Sequence, residues 1–451
     1  MHHKTFFGCV SNSCSSMALI RLGSTLLIQP LLFIGFISSS AELPKQKLVR
    51  SPLANDVAFP QMAAVDSSLE VSLPIFDRTA YNPSVLHIRY TSAIGRTSIV
   101  GTDSFLDFTL IVPDLPPQGR RIELNSKKFR VLLRKLYASL SSQQDLRVSD
   151  PNSASRRLFD LLISPVLPLI EEQKITTLLI ATDRGLQGVP FSALSDGQSF
   201  FGARFAFSLT PSLALTDFNK SDLEQGDRLL ALGASEFIGL SPLPLVPQEI
   251  DRVETSGEKD KYLNDEFTPD VLLKQAADPR YSHVHVSTHA NFVPGGPSRS
   301  RLYSGTDPIA LDQLAKLRTA RQGVPLELIV FSACRTALGD SDSELGFSGL
   351  ALQAGAKSAV GTLWYVDDVV TSAYFIQMYK FLKQGIPKAE SMQLTRQSFV
   401  RGLIRSEDDY LLGVDGTPLL TGLTKSQQRL IADRITHPFY WAGIQLMGTP
   451  W

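Results

Sequence analysis

The chain has 451 residues, 43% hydrophobic and 20% charged, with 44 basic residues balanced by 44 acidic ones. A formal charge of zero with no basic stripe argues against a protein that works by neutralising phosphates. The three cysteines are too few for a disulfide scaffold, and the apolar content is ample for a core.

Taken in order, the first segment reads as targeting sequence. Residues 26–37, LLIQPLLFIGFI, form a short apolar core preceded by Arg21 and followed by Ser38-Ser39-Ser40-Ala41. This is the pattern of an export signal with a small-residue cleavage site. Gln29 and Pro30 interrupt a run already too short for a membrane span. Met17 offers a start with a more usual lead into that core than residues 1–16 do. Residues 1–41 are therefore expected to be a signal peptide that sends the chain to the periplasm or outside the cell; uncleaved and unexported, it would stay cytoplasmic. Cys9 and Cys14 lie in this segment, so a processed chain keeps only Cys334. One thiol makes no intrachain disulfide and no multi-thiolate metal site.

Residues 42–80 show no sustained period and read as an irregular lead-in. Strand composition begins at residues 85–90, VLHIRY, and continues at 99–100 and 105–112, suggesting short antiparallel strands or a hairpin at a sheet edge. His87 is read as a structural side chain on that edge. A helix follows from Ser126, with Phe129, Leu132, Leu133, Leu136 and Leu140 in one stripe. Residues 153–162 form another, with Ser153 or Ser155 as cap. Residues 177–181 and 229–233 are strands; 247–253 and 267–277 are helices. Residues 257–260 are read as a polar turn. Residues 283–287, HVHVS, form a strand ending at Thr288-His289-Ala290. The stretch 291–307, rich in Gly, Pro and Ser, is read as a loop suited to lining or covering a site, and 309–317 as a short helix.

The stretch 326–339, LELIVFSACRTALG, is the centre of the pattern. Its unbroken run Leu328-Ile329-Val330-Phe331 suits a strand covered on both faces. The run ends in Ser332-Ala333-Cys334-Arg335, where crevices form in open parallel sheets. Residues 347–354 are read as a helix, 358–364 as a strand, 369–382 and 387–399 as helices, 404–430 as mixed loop and polar helix, and 440–447 as a terminal strand. Repeated strand–helix alternation predicts an α/β fold with a largely parallel sheet, and one large domain after the lead-in.

The strands ending at His289 and Cys334 are consecutive, and sequential parallel strands usually neighbour each other. That brings an imidazole and a thiol to one rim. Histidine can take the thiol proton and later give a proton to a leaving amine, and imidazolium–thiolate is a strong nucleophile. Backbone N–H groups of Cys334 and Ala290 are candidate oxyanion donors. No third, orienting side chain is identifiable. His283, His285 and His289 invite a zinc reading, but no carboxylate is near in sequence and the last spacing crosses a strand end. His283 and His285 are better read as packing residues. His437 is read as aromatic packing, and Trp364 and Trp441 as core anchors. Neither a dinucleotide fingerprint nor a phosphate loop occurs, and Gly-x-Ser-x-Gly is missing. No metal or cofactor is expected.

The sequence resembles the CHAT domain, a caspase-like family placed with the caspase, separase and gingipain group of cysteine peptidases. The resemblance rests on LIATDRGLQGVPFSAL (179–194), LPLVPQEI (243–250), HVSTHANF with the family histidine at His289, and LIVFSACRTALG with the family cysteine at Cys334. Ala354-Gly355-Ala356 through LWYVDD (363–368) and HPFYWAGIQLMG add to it. It implies a caspase-like three-layer fold over residues 81–451 and a cysteine endopeptidase acting on protein or peptide substrates through a Cys334–His289 dyad. The alternative is a catalytically silent adaptor or signalling module. Two departures stand out. Arg335 replaces the acidic residue that often follows the cysteine, which favours thiolate and bears on substrate choice. The helical repeats carried by many members have no room here beyond the short lead-in. Asp367, Asp368, Asp340 and Glu344 near the expected rim motivate a Lys/Arg preference. Nothing in the sequence sets the oligomeric state.

Overall fold

The computed structural model describes residues 82–92, 103–143, 146–183, 186–216, 227–291, 297–333, 346–364 and 367–451. The segments read as signal peptide and lead-in, the strand read at 99–100, and Cys334, Arg335, Asp340 and Glu344 lie outside the described residues.

Among the described residues, one sheet has eleven strands. From edge to edge they are Gln118–Leu124, Ser104–Ile111, Pro83–Ser92, Thr177–Thr182, Ala206–Thr210, Ile444–Gly448, Ser358–Thr362, Leu328–Ser332, His283–Ser287, Leu229–Gly233 and Lys259–Leu263. Antiparallel pairing is confined to the first three strands and to the junction of Ser358–Thr362 with Ile444–Gly448. The sheet is thus two parallel blocks of opposite direction that meet at that junction. The block from Ser358–Thr362 to Lys259–Leu263 is parallel throughout.

Alternate residues of a strand face opposite sides, and here both sides are covered. Leu229, Ala231, Leu328, Val330 and Val360 join one core with helices Ser126–Ser141, Ala154–Leu162, Val246–Arg252, Asp368–Leu382 and Lys388–Val400. Leu230, Leu232, Ile329, Phe331 and Ala359 join the other with helices Pro269–Ala277, Lys316–Ala320 and Gly346–Gln353. Helix, sheet and helix make three layers, as the sequence suggests. Burial on both faces explains why the inner strands show unbroken apolar runs. The helix stripe is observed: Phe129, Leu136 and Leu140 are buried. Ser153 caps its helix by accepting from the Arg156 N–H, and Thr268 caps Pro269–Ala277 by accepting from the Val271 N–H.

Several elements differ from the sequence reading. The polar turn at 257–260 runs into the edge strand Lys259–Leu263. Gln118–Leu124 forms the opposite edge. Both carry charges that blunt an edge against further pairing, and those charges hide the strand from an apolar-pattern reading. The buried strand Ala206–Thr210 also goes unread, because Arg204 and Pro211 leave so short an apolar run between them. The stretch read as a helix at 309–317 is a strand, Pro308–Ala310, followed by 3-10 turns and then Lys316–Ala320. Arg301–Tyr303, inside the stretch read as loop, pairs with it and with Ala290–Asn291. In the stretch 404–430, Arg405–Glu407, Tyr410–Leu412 and Pro418–Leu420 form a small meander. Residues 440–447 are not one strand: Pro438–Trp441 is a helical turn capped by His437, and the strand starts at Ile444.

Candidate active site

Three neighbouring parallel strands end at one rim. The middle strand, His283–Ser287, leads into Thr288 and His289. Leu328–Ser332 on one side leads to Ala333 and, in the sequence, Cys334. Leu229–Gly233 on the other leads into the loop 234–245. Ser287 pairs with Ser332, and the Thr288 N–H donates to the Ser332 carbonyl at 3.2 Å. His289 and Cys334 each follow that last pair by two residues. Thr362 Oγ1 donates to the Ala333 carbonyl at 2.9 Å, which ties the residue before the cysteine to the next strand.

His289 is half-buried. Its Nε2 lies 2.8 Å from the Ser241 carbonyl oxygen. A carbonyl only accepts, so Nε2 carries the proton and, in the neutral ring, Nδ1 holds the lone pair. Phe237 packs against the same ring, with centroids 4.7 Å apart. The partner that holds the His289 ring is thus a backbone carbonyl, which sequence motifs do not reveal. Its loop is pinned. The Leu243 N–H donates to the Ser235 carbonyl, and the Ser235 N–H and hydroxyl both donate to Asn264 Oδ1, at 2.8 and 3.1 Å.

Ala290 is opposite Leu302, and the Tyr303 N–H donates to the His289 carbonyl. Ala290 therefore holds a non-hydrogen-bonded ladder position, which turns its N–H away from the Arg301–Tyr303 strand.

The rim carboxylates are engaged. Asp367 caps Asp368–Leu382 by accepting from the Val369 and Val370 N–H groups. Burial nonetheless raises its carboxyl above the ordinary range. Burial, and then the charges of Glu249 and Asp367, push the Asp368 carboxyl up to about 7.

Beneath the rim lies a buried polar cluster. Glu249, on Val246–Arg252, accepts from His285 Nε2 at 2.8 Å, Ser372 Oγ at 2.6 Å and Ser287 Oγ at 3.0 Å. His285 is also flanked edge-on by Phe375 and Tyr379. Burial favours a neutral Glu249, but the His285 and serine hydrogen bonds outweigh it and hold the carboxyl below its ordinary value. Glu249 stands in the LPLVPQEI block, yet nothing in the sequence pointed to its partners, which come from other elements. His283 is buried with its Nδ1 2.8 Å from Ser282 Oγ. Burial pushes its imidazole down to about 4, so it is neutral near pH 7. The three strand histidines thus have separate partners. Among the described residues, no group of three His, Cys, Asp or Glu side chains is placed to hold a metal ion.

The other residues singled out have structural partners. His87 is not on an edge strand as the sequence suggests: it is half-buried, two strands in, paired with Thr109 and Ala181 because Gln118–Leu124 and Ser104–Ile111 lie outside it. His437 Nδ1 accepts from the Phe439 N–H. Trp441 is fully buried, and Trp364 stacks on Phe439 while donating to its carbonyl. Among the described residues, no helix is long and apolar enough to cross a membrane.

Residues 152–449 match the CHAT domain family. Comparison with curated proteins finds no match. Among solved structures, the chain is similar to a chain of the Saccharomyces cerevisiae separase–securin complex, at 11% identity and a TM-score of 0.46. That likeness covers 82% of this chain and 30% of the other, so this chain spans under a third of its length. It is also similar to the Arg-specific cysteine proteinase gingipain R, at 12% identity and a TM-score of 0.41, covering 64% of this chain and 68% of that one. A third similar structure is a complex of Porphyromonas gingivalis RgpB pro- and mature domains, at 12% identity and a TM-score of 0.40, covering 72% and 77%.

Proposed function

The chain belongs to the CHAT domain family, and from that premise we propose that it is a cysteine endopeptidase using Cys334 and His289. His289 Nδ1 takes the thiol proton, and the thiolate attacks the peptide carbonyl carbon. The oxyanion that forms is met by the backbone N–H groups of Cys334 and Ala290. The C–N bond then breaks, and the imidazolium returns its proton to the leaving amine. Water, with its proton drawn to the same Nδ1, cleaves the thioester. Throughout, the Ser241 carbonyl holds Nε2–H, orienting the ring and stabilising its charged form.

The observation that carries this reading is the Ser241–His289 hydrogen bond, on the strand directly beside the one leading to Cys334. It leaves the reactive nitrogen free of that bond and fixes the ring's tautomer. Residues 81–451 are taken as the domain, because Pro83–Ser92 pairs with Thr177–Thr182 in the same sheet. The segment 1–41 is taken as a cleaved export signal; the mass of the mature chain checks it. The basic-residue preference is taken to rest on Asp340, Glu344 or Asp368, the last only where its raised carboxyl is ionised, since Asp367 is engaged as a helix cap.

The test is cleavage of a peptide library by the purified protein, Cys334→Ala and His289→Ala. Turnover by the parent and its loss in both variants are expected. Parent turnover that survives both changes would overturn the dyad, and partner binding without any turnover would favour an adaptor. A cleavage profile favouring acidic or small apolar residues would remove the basic-residue preference.

A further inference from the structure

Among the described residues two arginines are buried, Arg321 at 3% exposure and Arg396 at 0%, and their surroundings differ. Arg321 spends all three nitrogens on backbone carbonyls. Its Nε donates to Val324 at 2.9 Å, its Nη1 to Ala276 at 2.8 Å and Asp278 at 2.9 Å, and its Nη2 to Tyr281 at 2.9 Å and Pro325 at 3.2 Å. Arg396, on the helix Lys388–Val400, is left short. Its Nη2 donates to the Ile444 carbonyl at 3.2 Å, while its Nε and Nη1 have no hydrogen-bond partner among the described residues. The guanidinium lies over the Phe207 ring, 5.0 Å from its centroid. A ring attracts a cation but carries no counter-charge. The titratable group that acts on Arg396 is Tyr374. Its hydroxyl donates to the Met392 carbonyl, one turn before Arg396. Burial raises that phenol, so it stays neutral and supplies no charge either. A guanidinium does not give up its proton, and an unanswered charge in the interior is strongly destabilising. Water would serve the two N–H sites but leave the charge.

We propose that Arg396 holds a small monovalent anion, chloride in ordinary solution, inside the fold where the two half-sheets meet. This is independent of the peptidase reading above. A sealed position admits a monatomic ion more readily than an oxyanion, and one negative charge balances the one positive charge there. The place is where pairing is thinnest. Ile444–Gly448 makes five register pairs with Ser358–Thr362 on one side. With Ala206–Thr210 on the other it makes one, Met447 with Leu209, supported by the Ser208 hydroxyl, which donates to the Gly448 carbonyl at 2.7 Å. Arg396 touches both sides of that seam, through Ile444 of the last strand and Phe207 of Ala206–Thr210. Its bare charge would loosen the seam. A bound anion answers the charge and makes closure of the sheet depend on the anion in solution.

The experiment is urea unfolding of the full chain in sodium chloride and in sodium gluconate, for the parent and Arg396→Met. Matching the ionic strength of the two salts removes general screening from the comparison, and gluconate is too large for a sealed site. The parent's midpoint should rise with chloride and not with gluconate. Chloride at about a hundred times its Kd should lower the unfolded fraction about hundredfold. Arg396→Met replaces the cation with an apolar side chain, and its midpoint should be the same in both salts. Crystals of the parent grown in sodium bromide carry the test should that variant fold poorly. An anomalous-scattering peak is then expected against Nε or Nη1. Equal parent midpoints in the two salts overturn the proposal, and so does a chloride response that persists in Arg396→Met. Water alone beside Arg396 in the bromide crystals overturns it. Bromide there without any chloride response is an adventitious ion only, and overturns it as well.

Discussion

His285 and His289 stand four positions apart near one strand, in opposite environments. His285 is sealed between Glu249, Phe375 and Tyr379, and its Nε2–H is given to a carboxylate. His289 sits past the strand's end, half-exposed, with its Nε2–H given to a neutral carbonyl and one aromatic ring beside it. A carboxylate partner anchors a ring in a core, whereas a carbonyl partner fixes its orientation and tautomer and leaves the other nitrogen outside that bond. Residue type therefore says little here. The partner on the second nitrogen and the depth below the rim separate the structural histidine from the catalytic candidate.

The sharpest way to break this contrast is to exchange the consequences of losing each ring. His289→Ala should lower cleavage by about 10²–10⁴-fold while changing stability by no more than about 0.5 kcal/mol. His285→Ala should do the reverse, costing about 3–5 kcal/mol in urea unfolding because Glu249 loses its ionisable partner in the interior. Equal effects on both measurements from both variants would erase the distinction.

A second test uses pH. The folded value of Asp368, about 7, lies above its unfolded value near 3.9. Between those values the unfolded chain has released a proton that the folded chain keeps. The contribution of Asp368 to stability is therefore full below about pH 4 and is lost as pH rises toward 7, at up to about 1.4 kcal/mol per unit. Glu249 has the opposite sign. Its carboxyl is held low, so its contribution is present above about pH 4.3 and is lost as the solution is acidified further. Asp368→Asn should flatten the neutral limb and be more stable than the parent at pH 8, by urea unfolding. An unchanged slope would mean that the sealed region does not hold a proton there.

The smallest effect concerns the rim. Phe237→Ala removes a ring contact of about 0.5–1.5 kcal/mol. It should reduce kcat by up to about tenfold with KM held, and leave urea unfolding nearly unchanged. A large loss of stability would move Phe237 from the rim to the core side of the comparison.

The inner strands were legible because burial on both faces writes an apolar run into the sequence, as in Leu328-Ile329-Val330-Phe331. So was the adjacency of the strands carrying His289 and leading to Cys334, since consecutive parallel strands tend to pair. The edges Gln118–Leu124 and Lys259–Leu263 were not, because protecting an edge requires the charges that make it look like a turn. Tyr440-Trp441 looked like strand, but a proline with a capping histidine before it starts a helical turn. At the site, the place of His289 past its strand was readable and the partner of its ring was not: a carbonyl at Ser241 has no side-chain signature. Glu249 was visible as a residue and opaque as a role, because its bonds to Ser287 and Ser372 join segments far apart in sequence.

Ile444–Gly448 is the last of the eleven strands along the chain, yet it lies mid-sheet, between Ala206–Thr210 and Ser358–Thr362. During synthesis the two half-sheets must wait for it, each with a raw inner margin that invites pairing with a stranger. A ribosome-bound chain lacking this keystone cannot close, so the sheet stays incomplete until translation has passed residue 448. Nonsense or frameshift lesions upstream should thus yield aggregates, not a shortened soluble chain.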